Sequence, residues 1–420
     1  MNFKLTLIPG LLLMAGANPR WVTAQTTDAQ QRELEIERDY SCVVCHIDKR
    51  RAFRLGVHSD RGIHCEDCHG GDPRGFEVES AHRAVDYIGS PDKLQTVELC
   101  TDCHADPDQM RQYGLPAGEL AEYRTSRHGM LLLDRGDLNA PTCTDCHDAH
   151  TILRPTDARS NVYPTNIAGT CATCHEDESL MAGYGLPTDQ FDTYRSSAHG
   201  VALYEKHNFA APTCVGCHGS HSALPPAVAQ IANVCGQCHV RVREAFDVGP
   251  HGTAARAAKL SGCTACHSNH GTEVIPPDRI AETCTECHEA GSEAAGIGIE
   301  IEEKATRAAE ELRSAAEAID ELVSAGRDVS DARLRYQSAL TAFMQVSQTQ
   351  HSLDLTALDD LRREVASISL DIRSSAEVAA EHRWEHRLIL VPVWFLALSA
   401  GVLAWFKLRG SERSATAEGQ

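Results

Sequence analysis

The 420-residue sequence predicts a mainly α-helical protein with little regular structure in its first two thirds and a helical bundle in its last third. Three observations support this prediction. All 18 cysteines repeat one short motif, apolar residues follow a helical spacing after residue 290, and an uncharged run lies near the C-terminus. Only 5% of residues are aromatic, so we expect something other than aromatic side chains to fill the interior.

The charge balance excludes one broad class of function. The chain has 39 basic and 59 acidic residues and a net charge of −20. A nucleic-acid-binding protein needs basic residues to displace counterions from phosphates, so we do not expect a nucleic-acid partner. An acidic balance favours solubility and attraction of basic partners.

The N-terminus has the layout of a secretory signal peptide. Lys4 precedes an apolar stretch over residues 5–14, and small residues end at Ala24, which predicts cleavage of residues 1–24. A retained membrane anchor is the alternative, although the apolar stretch is short for a membrane span. Export predicts an oxidising, extracytoplasmic location for the first domain, residues 25–290.

The cysteines predict covalently attached haem. Every cysteine belongs to a Cys-x-x-Cys-His motif, which occurs nine times. In chain order these motifs, numbered here as sites one to nine, consist of Cys42, Cys45 and His46; Cys65, Cys68 and His69; Cys100, Cys103 and His104; Cys143, Cys146 and His147; Cys171, Cys174 and His175; Cys214, Cys217 and His218; Cys235, Cys238 and His239; Cys263, Cys266 and His267; and Cys284, Cys287 and His288. The two thiols can bond one porphyrin, and the adjacent imidazole can bind its iron.

Other uses of these cysteines explain the pattern less well. A disulfide framework does not require a histidine after each second cysteine. A zinc site does not require it at that place, and a thioredoxin-like motif would occur once. We therefore predict nine c-type haems. With only about 27 residues per haem between Cys42 and His288, neighbouring haems must nearly touch, and electron exchange between them follows.

The region is built from repeated two-haem modules. The segment from Cys100 recurs from Cys171 at an offset of 71 residues. The predicted modules cover about residues 42–82, 100–150, 171–221 and 235–270, and the ninth motif, residues 284–288, is unpaired. Detecting the repeat allows histidines outside the motifs to be ranked by their position in it.

Eight of these histidines are candidate second iron ligands. Four precede the second haem motif of their module. Three others follow that motif, and the eighth takes the equivalent role in the first module. The first group is His58, His128, His199 and His251; the second is His150, His221 and His270, each three residues after a motif histidine, with His82 in the first module. A histidine three residues after a proximal ligand must reach a different iron. His64 and His207 are interpreted as incidental.

A helical stalk, residues 291–386, follows the ninth motif. Its apolar residues alternate in steps of four and three, as in a coiled coil: Ile301, Ala305, Ala308, Leu312, Ala315, Ile319 and Leu322. Two further helices follow, and three consecutive helices with short links fold up and down. His351, between the second and third, is our candidate distal ligand for site nine; a simple loop histidine is the alternative. The stalk also allows oligomerisation.

The C-terminal region predicts one transmembrane helix. Residues 388–406 carry no charge, lie between Arg387 and Lys407, and have Trp394 and Trp405 near their ends. That length crosses a bilayer core of about 30 Å, and tryptophan is enriched at headgroup depth. With an exported N-terminus, residues 407–420 would form a cytoplasmic tail.

The modules resemble the multihaem cytochrome c family with doubled CxxCH motifs, often grouped as cytochrome c3-like and NapC/NirT-like. The resemblance rests on Ser-x-His-Gly at His128 and His199, and on APTCxxCHxxH ending at His150 and His221. It implies an electron-transfer protein on the outer face of a bacterial cytoplasmic membrane, with a membrane redox complex or periplasmic redox protein as partner. Unlike NapC-type quinol dehydrogenases, which have an N-terminal anchor, this chain has its predicted span at the C-terminus.

Two functions follow from these patterns. The first is a membrane-anchored electron conduit whose irons are closed by paired imidazoles. The second is a multihaem oxidoreductase of the nitrite reductase or hydroxylamine oxidoreductase type, which needs one iron with an open position. The CxxCK motif typical of such nitrite reductases does not occur.

Overall fold

The computed structural model describes residues 40–227, 230–257 and 259–415, without side chains for residues 379–390 and 408–415. The predicted signal peptide lies outside the described residues. Within them the chain forms helices, turns and loops and has no β-strand, in agreement with the predicted fold class.

Short helices dominate the haem region. Those before residue 163 are α1 Ser41–Cys45, α2 Ile47–Phe53, α3 Cys65–His69, α4 Val78–Ala81, α5 Lys93–His104, α6 Pro107–Arg111, α7 Glu119–Thr125, α8 Arg127–Gly129 and α9 Cys143–His147. They are joined by a 3₁₀ turn at Ser59–Arg61 and a π-helical turn at Met130–Asp134.

The helices after residue 163 first continue this pattern and then lengthen. They are α10 Ile167–His175, α11 Glu178–Ala182, α12 Gln190–Ser196, α13 Ala198–Tyr204, α14 Cys214–His218, α15 Ile231–Gly236, α16 Val240–Val248, α17 Pro250–Arg256, α18 Thr264–His267, α19 Ile280–Thr285, α20 Glu293–Ser324, α21 Ser330–Thr349 and α22 Leu355–Ala415. Further 3₁₀ turns lie at Pro277–Arg279 and Gln350–Ser352.

The chain divides into two compact units. The first comprises the chain up to Leu120 together with Leu131–Val162, and the second comprises Ala121–Met130 and the chain from Tyr163 onward. Motif sites one to four lie in the first unit and sites five to nine in the second. The second unit also contains the stalk, so the predicted boundary at residue 290 does not separate the compact units.

Helices α20, α21 and α22 form the three-helix bundle of the stalk. All seven residues of the predicted seam are buried. The first four pack against Ala339, Val346, Leu358 and Val365, and the last three pack against Ala332, Ile372 and Ala376. Helix α20 ends where Gly326 adopts a left-handed conformation with φ of 67°, as expected for a helix terminus.

The bundle is continuous with the last haem motif. A Cβ built on Gly298 would lie 2.7 Å from the Cys284 Sγ atom, so α20 passes directly over site nine. The backbone N–H of Ala281 donates to Glu302 of the same helix at 2.9 Å. The stalk and site nine are therefore one packed structure.

Helix α22 runs through the predicted C-terminal span. Across the residues that the structure describes, no helix combines the length and the apolar character needed for a membrane crossing. The structure thus gives the predicted transmembrane helix, residues 388–406, no support.

Candidate haem-binding sites

The haem motifs occupy short helical turns. Three motifs are themselves five-residue helices, α3, α9 and α14, and two others form the ends of α5 and α10. A helix places residues i, i+3 and i+4 on one face, which brings both cysteines and the histidine of a motif together. At sites two and four an acid reaches back to the helix start: the His64 N–H donates to Asp67 and the Thr142 N–H to Asp145, both at 2.7 Å.

The cysteines are available for attachment. All 18 lie within the described residues as thiols rather than disulfides. With no disulfide among them, the two cysteines of each motif are compatible with bonds to one porphyrin.

The second cysteine is the more open thiol in most motifs. The exposed ones are Cys45, Cys103, Cys146, Cys217, Cys238, Cys266 and Cys287, whereas Cys68 and Cys174 are half-buried, as are the nine first cysteines. Cys174 therefore differs from its repeat counterpart Cys103. The bond of each of these thiols to a porphyrin stays a prediction from the motif.

Eight of the nine motif histidines face a second imidazole within the same unit. The pairs and ring-centre separations are His46–His82 at 6.3 Å, His58–His104 at 6.1 Å, His69–His150 at 6.1 Å, His128–His175 at 6.2 Å, His199–His239 at 6.1 Å, His218–His270 at 5.9 Å, His251–His288 at 6.1 Å and His267–His351 at 6.2 Å. Each pair joins one motif histidine to one histidine outside the motifs.

These separations fit an iron held between two imidazoles. A metal–imidazole nitrogen bond is about 2 Å, and the ring centre lies about 1 Å behind that nitrogen, so two opposed rings have centres about 6 Å apart. Rings in direct van der Waals stacking would approach more closely. The residues present therefore fit c-type haem with two axial histidines.

Several rings are oriented by a backbone carbonyl. The Nδ1 atom of His69 lies 2.8 Å from the Gly89 oxygen, that of His267 lies 2.8 Å from the Glu273 oxygen, and that of His218 lies 3.2 Å from the Leu224 oxygen. A carbonyl can only accept, so Nδ1 carries the proton and Nε2 keeps its lone pair for a metal. No sequence signal could reveal these acceptors, because they are main-chain atoms.

Burial keeps many of these imidazoles neutral. It is the main cause of a lowered pKa, and the charge of a neighbouring imidazole adds to it; the histidines affected are His58, His128, His150, His175, His199, His251, His270 and His351. An iron ligand must be the neutral ring, so the environment favours the required form.

The histidines that precede the second haem motif of their module reach forward along the chain. His58 of the first module faces the His104 ring of the second module, and His128 faces His175 of the third. His199 and His251 continue the pattern to His239 and His288. Each of these residues therefore serves the first motif of the following module, and the last serves site nine.

The CxxCHxxH histidines reach backward. His150 of the second module faces His69 of the first, and His270 of the fourth faces His218 of the third. Backbone contacts accompany this exchange: the Val57 N–H donates to the Ile152 oxygen at 2.9 Å, and the Arg127 N–H to the Ala223 oxygen at 3.0 Å. Successive modules thus interlock.

His351 lies beside site eight rather than site nine. Its ring faces His267, while His288 of site nine faces His251. The reason is which module contributes each facing histidine. His251 of the fourth module faces site nine. Site eight would need a CxxCHxxH histidine from a fifth module, and the sequence has no fifth module after the fourth. The turn between α21 and α22 occupies that place, with the His351 Nδ1 atom 3.2 Å from the Gln348 oxygen.

The facing pair at site one is local. His46 faces His82 of its own module, and the His82 ring also contacts Tyr87 at 4.6 Å. His64 contacts Tyr40 edge-on at 5.8 Å instead of another histidine. His207 is exposed with φ of 51°. The interpretation of these last two histidines as incidental stays a prediction.

His147 and His221 belong to different compact units. His147 ends α9 in the first unit. In the second unit the His221 Nδ1 atom lies 3.8 Å from the Glu122 carboxylate. Their role as iron ligands stays a prediction.

The Ser-x-His-Gly motif has a structural cause. The Oγ atoms of Ser126 and Ser197 accept from the N–H groups of Gly129 and Gly200 at 2.9 and 3.0 Å, which caps the helices that carry His128 and His199. A Cβ on Gly200 would lie 2.1 Å from the Tyr194 oxygen. The serine starts the ligand-bearing helix, and the glycine lets it pack against the preceding one.

Thiols of consecutive motifs lie close together within each unit. Hydrogen bonds join Cys100 to Cys143 in the first unit, and Cys171 to Cys214 and Cys235 to Cys263 in the second. Electrostatic contact also links Cys68 with Cys103, Cys217 with Cys235 and Cys238, and Cys266 with Cys284 and Cys287. Porphyrins bonded at these thiols would be neighbours in chain order within each unit.

The chain is similar to known multihaem cytochromes. A family model described as cytochrome c554 and c-prime matches residues 17–70 and 234–311. A multiheme cytochrome MtrA from Shewanella baltica (strain OS185) is 22% identical over 219 residues, covering 48% of this chain and 53% of the relative. The chain therefore spans about half the length of this relative. No solved structure is significantly similar.

Proposed function

We propose, from the premise that this chain is a multihaem c-type cytochrome, that it passes electrons from haem to haem between two redox partners. The observation that supports this most directly is the set of eight facing imidazole pairs with ring centres 5.9–6.3 Å apart. An iron closed on both faces exchanges electrons without binding a small molecule.

Each residue class has a defined task in this proposal. The cysteines fix the porphyrin, the motif histidine binds one face of the iron, and the distal histidine closes the other. Histidine on both faces favours a lower reduction potential than a methionine ligand would. Carbonyls such as that of Glu273 hold the ring by its Nδ1 proton, which fixes the imidazole in the orientation that ligation needs.

The close thiols support transfer between neighbouring sites. The Cys235 and Cys263 sulfur atoms lie close together, so the edges of the porphyrins they would hold would be adjacent. The same holds for Cys100 and Cys143. This spacing supports exchange along each unit in chain order.

We further propose nine haems on the periplasmic side of a bacterial cytoplasmic membrane, anchored through residues 388–406. Nine motifs without a spare cysteine support the number. The uncharged run supports the anchor, and within it the side chains of Trp394, Phe395 and Leu403 are about two thirds exposed. Full-length protein should sediment with membranes, and a chain ending at residue 387 should not.

The function is tested by haem count and coordination together. Mass spectrometry of the exported protein should show nine porphyrin additions and a mature N-terminus after Ala24. Low-temperature EPR should show low-spin ferric haem, and the reduced protein should bind little carbon monoxide. Far fewer additions would refute the haem assignment.

The oxidoreductase alternative makes the opposite prediction for coordination. It needs an open iron, so it requires a high-spin ferric signal and carbon monoxide binding equivalent to about one haem per chain. Eight motif histidines that already face a second imidazole support the conduit instead.

A further inference from the structure

The region around site one carries positive charge in an acidic protein. Between residues 40 and 61 there are five basic residues and two acidic ones, whereas the whole chain has a net charge of −20. Most of the basic residues lie on or next to α2, which begins directly after His46. The charge is therefore concentrated beside one haem site.

Exposed side chains present this charge to solvent. Lys49 and Arg51 are exposed on α2; Lys49 contacts Asp48 at 3.5 Å, yet its side chain stays 59% accessible. Lys49 also contributes to the lowered pKa of His150, after burial and the neighbouring His69. Its charge thus lies within electrostatic range of both site one and the distal histidine of site two.

Apolar side chains accompany the basic ones. Val44 and Ile47 are 49% and 59% exposed on either side of Cys45 and His46. An apolar centre with a charged rim is the usual composition of a protein–protein interface, and the charges steer a complementary partner during encounter. We call Val44, Ile47, Lys49 and Arg51 the site-one surface.

Site nine has the opposite charge. Between residues 279 and 303 there are seven acidic residues and one basic one. An acidic partner attracted to the site-one surface would be repelled at site nine. The first and the last haem motif would therefore select different partners.

We propose that the site-one surface docks an acidic electron-transfer protein, which exchanges electrons with the haem at site one. This rests on the proposed electron-transfer function and deepens it by naming the partner's chemistry. In each exchange one electron passes between the ferrous and ferric states of site one and the partner's redox group, with no bond made or broken.

A protein fits this surface better than a lipid membrane does. Helix α2 has seven residues and is therefore about 10 Å long. Membrane-surface helices are longer and bury one continuous apolar face. An anionic bilayer is nevertheless a separate outcome that the experiment below detects.

The test compares two reductants of the oxidised holoprotein in stopped-flow measurements. Flavodoxin hydroquinone serves as an acidic protein and the methyl viologen radical cation as a small cation. The variant Lys49→Gln/Arg51→Gln removes two charges from the site-one surface. The control Arg313→Gln/Arg333→Gln removes two exposed charges from the stalk, away from every haem motif.

At about 10 mM ionic strength, where screening is weak, the site-one variant should react with flavodoxin at least about threefold more slowly than the native protein. Its reaction with the methyl viologen radical cation should be unchanged or faster, and the control variant should behave like the native protein. The difference with flavodoxin should fade at high salt.

Three results would overturn the proposal. The rate of reduction by flavodoxin could be the same in both variants. Reduction by both reductants could be slowed equally in the site-one variant. Native protein could also bind phosphatidylglycerol vesicles through Lys49 and Arg51. Failure of the proposed function looks different, because then neither reductant would reduce the native protein.

Discussion

At the residue scale, the positions of the distal histidines depend on the glycine that follows them. A Cβ at Gly129, Gly200 or Gly252 would lie 1.9, 2.1 or 2.3 Å from a carbonyl oxygen six residues earlier. Backbone atoms cannot move aside as a flexible side chain can, so only glycine allows the two helices to approach this closely.

Replacing Gly200 by alanine should displace His199 from site seven. The added methyl group would overlap the Tyr194 backbone, and overpacking of this kind costs about 1–3 kcal/mol. We expect a lower unfolding midpoint and a partial high-spin EPR signal from one haem.

Gly169→Ala is the matched control. This glycine lies in α10 with nothing within 4 Å of the added Cβ, so alanine should be neutral or stabilise the helix by up to about 1 kcal/mol. An equal loss of stability in both variants would contradict the steric explanation.

Removing the His351 imidazole should open one iron. His351 faces His267 of site eight, so His351→Ala should convert one haem to high spin and allow it to bind carbon monoxide. The surface variant His207→Asn should leave the spectrum unchanged, since asparagine tolerates the left-handed backbone at that position.

A double variant tests whether His251 and His351 serve different irons. His251 faces site nine, so His251→Ala/His351→Ala should show two high-spin haems. A single high-spin haem in the double variant would mean that both histidines serve the same iron, and would contradict the separate pairings with His288 and His267.

At the element scale, a buried serine defines the start of each ligand-bearing helix in the second and third modules. Ser126 and Ser197 are 0% and 2% exposed, and each satisfies one N–H group that the helix itself leaves unpaired. The fourth module has Gly249 and Pro250 at the corresponding place, where proline is suited to a first helical turn.

Ser197→Ala should loosen α13 and its histidine. Loss of an N-cap costs about 1 kcal/mol, so we expect a lower unfolding midpoint and a broadened EPR signal of site seven. Ser374→Ala, an exposed serine within α22, should change neither. No effect of Ser197→Ala would show that packing alone positions the helix.

At the scale of the whole molecule, the haem region and the stalk depend on each other within the second unit. Backbone atoms of His351 and Ser352 lie 3.2 and 3.1 Å from a Cβ built on Gly249, beside α16 and α17. The stalk therefore supplies both the imidazole that faces His267 of site eight and the helix that covers site nine.

Leu358→Ala should weaken the bundle and the ligation of site eight together. Leu358 is 1% exposed in the bundle core, and large-to-small substitutions there cost about 2–5 kcal/mol. Thermal unfolding followed by EPR should show high-spin haem appearing at a lower temperature. Leu370→Ala, 59% exposed, should match the native protein. Loss of stability without any change in haem spin would contradict the coupling.

Sequence alone determined the chemistry, because thioether attachment needs its two cysteines and histidine at fixed local spacing. It also identified the repeat, the stalk seam and the candidate distal histidines. Only the tertiary structure decided which histidine faces which, because most facing histidines come from different modules and lie tens of residues apart along the chain. His351 shows this most clearly: its position after α21 indicated a ligand, but the forward placement of His251 left site eight, not site nine, for it to face.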